Sequence, residues 1–255
     1  MAIYRLTGDN GLGVDDLVAW LNASKTGTFL ENAVIIKETT HPLTPPAGTS
    51  ASYGDTISIT KDSMTFRLAF IDSINSGSGP VNYPLAELKS SDLQTSYGTM
   101  SFRTNRYFAT RKGNCMLCKN GLLIGMNVIH TYSSTTLLSN SCRLCLTVDD
   151  NGNLMIMHSQ FTAFDGDTSV AYNNGISISK TPDYSSYWFT LVPASNFRGT
   201  SISNVALFGT DTSSELENVF LASVSQQNVN AEHPEAVTLD GKNYITNGRI
   251  YIRDE

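Results

Sequence analysis

All four cysteines of this 255-residue chain fall into two identically spaced pairs, Cys115-Met116-Leu117-Cys118 and Cys142-Arg143-Leu144-Cys145, with 23 residues between them. A tight turn between two cysteines separated by two residues brings both sulfurs to one ion, and four such thiolates satisfy tetrahedral zinc. The interval between the pairs is slightly longer than in a zinc ribbon, which a longer loop accommodates. After each pair come an Asn-Gly turn and an apolar run, Leu122-Leu123-Ile124 and Leu154-Met155-Ile156, leading to His130 and His158. One expectation is therefore a structural zinc ion held by Cys115, Cys118, Cys142 and Cys145, with no open coordination position. The competing expectation comes from the second pair, where Leu146-Thr147-Val148 continues directly as strand. Cysteines three apart on a strand point to opposite faces and cannot share an ion; they are then small buried residues. A disulfide or an iron–sulfur cluster is a third arrangement, and disulfides are disfavoured in a reducing cytosol. His130 and His158 read as strand-end residues rather than ligands, and His41 and His233, each followed by proline, as solvated loop residues.

The densest aromatic cluster is Tyr184, Tyr187, Trp188 and Phe189. On a β-sheet such a cluster either stacks on sugar rings or joins the core with one residue left exposed. Nucleophile and phosphate motifs are missing: the chain contains no G-x-S-x-G, no G-x-x-x-x-G-K-[ST] and no G-x-G-x-x-G. Asp149-Asp150-Asn151-Gly152 and Asp165-Gly166-Asp167 read as turns, since neither follows the twelve-residue calcium-loop pattern. Carboxylate pairs for sugar hydrolysis need no local motif, so they leave no trace to read. The expectation is a protein that is not an enzyme and has no catalytic residues.

The elements that must carry these residues are mostly strands. In the segment 14–22, Val14, Leu17, Val18 and Leu21 recur at helical spacing, and Asp15 and Asp16 lie where carboxylates complement the positive helix end. This helix should cover a sheet edge or dock on a neighbouring subunit. Beyond residue 27, short apolar or alternating runs dominate, among them Ala33-Val34-Ile35-Ile36, Thr56-Ile57-Ser58-Ile59-Thr60, Met64 to Ile71, Leu122 to Ile129, Cys142 to Val148 and Val219 to Val224. Seven of the 19 glycines follow Asn or Asp, the dipeptides that take positive φ in tight hairpins. The fold class expected is all-β: an antiparallel β-sandwich with a short N-terminal helix and a C-terminal hairpin. Its parts would be an N-terminal strand and helix segment (1–26), the sandwich (27–225) and a C-terminal hairpin or docking arm (226–255). Thr40 to Gly54 and Asp72 to Asp92, rich in Pro, Gly and Ser, read as long loops.

Charged residues make up only 16% of the chain, against the roughly one quarter usual in globular domains. Net charge is −6 and the isoelectric point is near 5.2, which argues against a nucleic-acid footprint. No apolar run is long enough for a membrane span, and MAIYRLTGDNG lacks the apolar centre of a signal peptide, so synthesis in a reducing cytosol is expected.

The short N-terminal helix, the low charge and the Ser/Thr/Asn-rich strands together resemble structural proteins of tailed-bacteriophage virions, particularly tail and baseplate components. Val205-Ala206-Leu207-Phe208-Gly209-Thr210-Asp211, Val219-Phe220-Leu221-Ala222 and Gly248-Arg249-Ile250-Tyr251-Ile252 carry the same character. The likeness is diffuse, transfers no catalytic residue and does not include the cysteine pairs. It implies a non-enzymatic virion component, made in the host cytoplasm, that oligomerises and docks on other virion proteins, with neither nucleic acid nor membrane as partner. The alternative is a carbohydrate- or host-receptor-binding β module that reads its ligand with Tyr184, Tyr187, Trp188 and Phe189.

Overall fold

The computed structural model describes residues 3–8, 14–38, 50–62, 64–75, 83–90, 96–101, 108–132, 135–149, 152, 154–162, 176–178, 184–197, 200–209, 213–222, 234–248 and 250–255. Among these residues there is one helix, α1 (Val14–Ser24), and the other regular elements are strands. The first half of the chain forms β1 (Tyr4–Gly8), β2 (Val34–Glu38), β3 (Ser50–Lys61), β4 (Met64–Asn75), β5 (Tyr83–Ser90), β6 (Ser96–Ser101), β7 (Phe108–Cys118) and β8 (Gly121–Tyr132). The second half forms β9 (Thr135–Val148), β10 (Leu154–Thr162), β11 (Ile176–Ile178), β12 (Tyr184–Phe197), β13 (Thr200–Gly209), β14 (Ser213–Ala222), β15 (Glu235–Leu239), β16 (Lys242–Thr246) and β17 (Ile250–Arg253). They assemble into three antiparallel sheets, ordered β1-β7-β8-β9-β10-β11, β2-β3-β4-β5-β6 and β12-β13-β14-β17-β16-β15. No helix among the described residues is long and apolar enough to cross a membrane.

At the centre of the first of these sheets, the described side chains are buried on both faces. Along β7 the side chains alternate: Cys115 and Leu117 enter one apolar cluster, Met116 and Cys118 another. The neighbouring strands keep the same alternation, with Leu122, Ile124 and Leu146 on the first side and Leu123, Cys145 and Met157 on the second. The first cluster is completed by Leu17 and Leu21 of α1 and by Ile35, Ile57, Ile59, Phe66 and Leu68 of the β2–β6 sheet. The second is completed by Val205, Val219, Leu221, Ile245, Ile250 and Ile252 of the β12–β17 sheet. Strands buried on both sides read as continuous apolar runs rather than as alternation, and Met116-Leu117-Cys118 followed by Leu122-Leu123-Ile124 is such a run.

The helix does cover an edge. Val14, Leu17 and Leu21 are buried, while Asp15 and Asp16 stay exposed in the first turn. Asn22 Nδ2 donates to the Ile35 carbonyl at 3.0 Å and Lys25 Nζ to the Ala33 carbonyl at 2.8 Å. Ile35 belongs to β2, the outermost strand of its sheet, and Ala33 directly precedes it, so a side chain occupies a β2 acceptor that a foreign strand would otherwise use. The exposed Lys37–Asp15 pair at 2.9 Å adds at most about 1 kcal/mol.

The Asn/Asp-Gly chemistry holds at the C-terminal turns, whereas neither Asn120 nor Gly121 takes positive φ, because the β7–β8 turn is Lys119-Asn120 and Gly121 already lies in β8. Asp240 and Gly241 have φ of 49° and 77°, the double positive φ of a tight hairpin, and join β15 to β16. At the next turn Asn247 Oδ1 accepts from the Ile250 amide at 2.9 Å and Thr246 Oγ1 from the Gly248 amide at 2.9 Å. This C-terminal meander pairs through β17 with β14, and so completes a sheet of its own chain.

Two expected loops contain strand instead. In 72–92, β4 runs on to Asn75 and β5 occupies Tyr83–Ser90, pairing with β4 from Ile71↔Tyr83 to Met64↔Ser90. Ladder bonding to β4 outweighs the Pro84 signal, because β4 keeps a long partner surface on that side. In 40–54, β3 begins at Ser50, and 40–49 lie outside the described residues, as do 76–82.

The β7–β8 turn locks distant segments together. The Lys119 amide donates to Asp254 Oδ1 at 2.9 Å, Asn120 Nδ2 to the Arg253 carbonyl at 2.7 Å, and Thr147 Oγ1 to the Asn120 carbonyl at 2.7 Å. The Phe29 amide donates to the Lys119 carbonyl at 2.7 Å. At Gly121 a Cβ would lie 2.5 Å from Ile252 Cδ1 and 3.3 Å from the Leu146 carbonyl oxygen, whereas at Gly241 it would meet nothing within 4 Å. Gly121→Ala should therefore lower stability by about 1–3 kcal/mol through overpacking, and Gly241→Ala by about 1–2 kcal/mol through φ strain alone. Urea denaturation of the two variants measures both, and an unchanged midpoint for Gly121→Ala would contradict the close approach to Ile252.

Candidate functional site

The cysteines do not form a metal knuckle. Cys115-Met116-Leu117-Cys118 is the extended end of β7, and its two sulfurs enter clusters on opposite faces of the sheet. The four-thiolate zinc site of Cys115, Cys118, Cys142 and Cys145 therefore gives way to buried thiols, because the pleat separates what a knuckle would bring together. Cys145 lies on β9 and shares the second cluster with Cys118; the Cys142 side chain lies outside the described residues. Among the described residues no group of three His, Cys, Asp or Glu side chains converges. Burial pushes the Cys118 thiol up to about 12, opposed in part by the Asn120 and Gly121 amides and reinforced by the Asp254 charge. Burial also raises Cys115 and Cys145 far above the ordinary thiol range, so all three stay protonated and unreactive at neutral pH.

The aromatic cluster lies on β12. Tyr187 stands opposite Leu207, Trp188 opposite Ala206 and Phe189 opposite Val205, while Tyr184 stands opposite Gly209 at the strand's start. The side chains of these four residues lie outside the described set, as do those of His130 on β8 and His158 on β10. Gly152 takes φ 83° and its amide donates to the Asp149 carbonyl at 2.9 Å, while Asp150 and Asn151 lie outside the described residues.

The polar geometry concentrates elsewhere, at an irregularity in β14. Asn204 of β13 pairs with Phe220 but the next residue, Val205, pairs with Leu216, so Glu217, Asn218 and Val219 bulge from that ladder. Bulges re-aim side chains and leave backbone groups in need of partners. Asn204 Nδ2 donates to the Leu216 carbonyl at 3.3 Å, and Arg253 Nη2 to the Glu217 carbonyl at 3.0 Å. Arg253 also reaches Asn218 Oδ1 through Nε and Nη2, both at 3.3 Å. Its guanidinium carbon sits 5.7 Å from the centre of the Phe220 ring, which meets Tyr244 edge-on at 5.5 Å and 82°. Burial raises the Tyr244 hydroxyl above its usual range against the opposing pull of Arg253, keeping it neutral.

Two clefts flank the bulge. One, of about 460 Å³, is lined by Asn204, Glu217, Phe220, Asp240, Lys242, Tyr244 and Arg253. The other, of about 390 Å³, lies between the bulge and the β7–β8 turn and is lined by Asn120, Thr147, Val148, Asp149, Leu216, Glu217, Asn218 and Val219. The sequence left the cleft over the bulge unread, because the residues from Asn204 to Arg253 that line it come from four strands and a turn and share no local motif. Comparison with known proteins finds no matching family model, no matching curated protein and no matching solved structure.

The burial of Cys115, Cys118 and Cys145 sets a thiol count. Of the four cysteines, no more than one should react with Ellman's reagent at pH 8 in the folded protein, and all four in denaturant. Two or more fast-reacting thiols in the native protein would overturn this placement of the sulfurs.

Proposed function

We propose that this chain is a non-enzymatic structural component of a tailed-phage virion, made in the host cytoplasm, which oligomerises and docks on neighbouring virion proteins. In this reading the sheets stack as the layers of a β-sandwich-type body, with the β7–β10 region as the shared middle. The observation that carries the reading is an apolar pair on the outer face of β2: Val34 is 59% and Ile36 47% exposed, while Ile35 between them is buried. Around the pair lie the Thr60–Thr65 hydroxyl contact at 3.0 Å and the Arg67–Glu38 salt bridge at 3.0 Å. An apolar centre with a polar surround is how protein–protein contact surfaces are built. Because Asn22 already occupies the Ile35 carbonyl of β2 and Lys25 the Ala33 carbonyl just before it, the surface is offered by its face rather than by strand addition. The low charge content of the chain fits a surface covered by neighbours.

Sedimentation velocity tests the assembly. The wild-type chain should sediment as an oligomer at micromolar concentration, and the Val34→Lys, Ile36→Lys double variant should shift to monomer with an unchanged melting temperature. A wild-type chain that stays monomeric, and that mass spectrometry does not find in purified particles, would remove the reading.

A further inference from the structure

We infer that the cleft over the β14 bulge is a binding site for a neutral saccharide. Its lining supplies two carboxylates, Glu217 and Asp240, and two cations, Lys242 and Arg253, so the charges cancel. A balanced set of that kind has no preference for a phosphate or a metal ion, yet offers both donors and acceptors in a small space. Vicinal hydroxyl groups need that combination, since each hydroxyl donates once and accepts twice. Asn204 adds an amide, and the neutral Tyr244 hydroxyl adds a further donor and acceptor at the wall. A volume of about 460 Å³ lies within the range of small-molecule sites, roughly 300–1,000 Å³.

The site is also preorganised. Arg253 is fixed by Asn218 Oδ1, by the Glu217 carbonyl and by the Phe220 ring beneath it, so little side-chain freedom remains to be lost on binding. Since Arg253 already covers Phe220, recognition here works through hydrogen bonds at the walls and not through ring stacking. Glu217, Asp240 and Lys242 are exposed and line the cleft from the bulge, from the β15–β16 turn and from the start of β16. This inference stands apart from the assembly reading and concerns a different sheet.

The test uses the full chain in saturation-transfer NMR and calorimetric titration against neutral hexoses, N-acetylhexosamines and their short oligomers, with inorganic phosphate and calcium chloride as comparison ligands. At least one neutral saccharide should bind. The Glu217→Gln, Lys242→Met double variant, both positions being exposed, should weaken it about ten-fold or more with the same melting temperature. A Tyr187→Ala, Phe189→Ala variant that still folds should bind as the wild type does. The inference is overturned if no saccharide binds, if binding survives the double variant, or if phosphate or calcium binds more tightly than any sugar.

Discussion

The fold depends on one constraint, the burial of both faces of the sheet where Cys115 to Cys118, Leu122 to Ile124, Cys145 and Leu146, and Leu154, Met155 and Met157 lie side by side on β7 to β10. Each successive side chain there must satisfy a different core, one shared with α1 and the β2–β6 sheet, the other with the β12–β17 sheet. A one-residue slip of any of these strands would exchange the two cores at every position along it. Register is accordingly pinned at the turn of the critical hairpin. The Lys119-Asn120 turn places Cys118 opposite Gly121, and the absence of a side chain at 121 admits Ile252 from the β12–β17 sheet.

The same constraint explains why the cysteines looked like a metal site. A zinc knuckle and a doubly buried strand both put small, soft residues beside Leu and Met, and both end in Asn-Gly. What separates them is whether residues 116 and 117 turn or extend, and that is decided by long-range pairing with β1 and β8, which spacing alone does not carry. The direct run from Cys145 into Leu146-Thr147-Val148 was the local clue that favoured the strand.

Other parts of the molecule were legible to different degrees. The amphipathic spacing of Val14, Leu17 and Leu21 located the helix and its buried face, because a helix writes its environment into consecutive turns. The Asp240-Gly241 hairpin was legible because only a few residue pairs tolerate two positive φ values. Strand β5 was not, since Pro84 and the flanking glycines read as breakers and the ladder with β4 that overrides them is non-local. The bulge cleft was illegible for a stronger reason: Asn204, Glu217, Asp240, Lys242 and Arg253 meet only after the β13-β14-β17-β16 order is set.

The β7–β8 turn has a consequence for how the polypeptide acquires its shape. Lys119 and Asn120 hold Asp254 and Arg253 across 135 and 133 residues of sequence. Ile252, which fills the space left at Gly121, arrives from the same late stretch. During synthesis the middle of the chain therefore leaves the ribosome with one flank of its apolar strands still bare. That flank closes only when residues 250–254 have emerged. Tertiary closure therefore waits on the latest of these segments and is slowed by the search that large sequence separations impose.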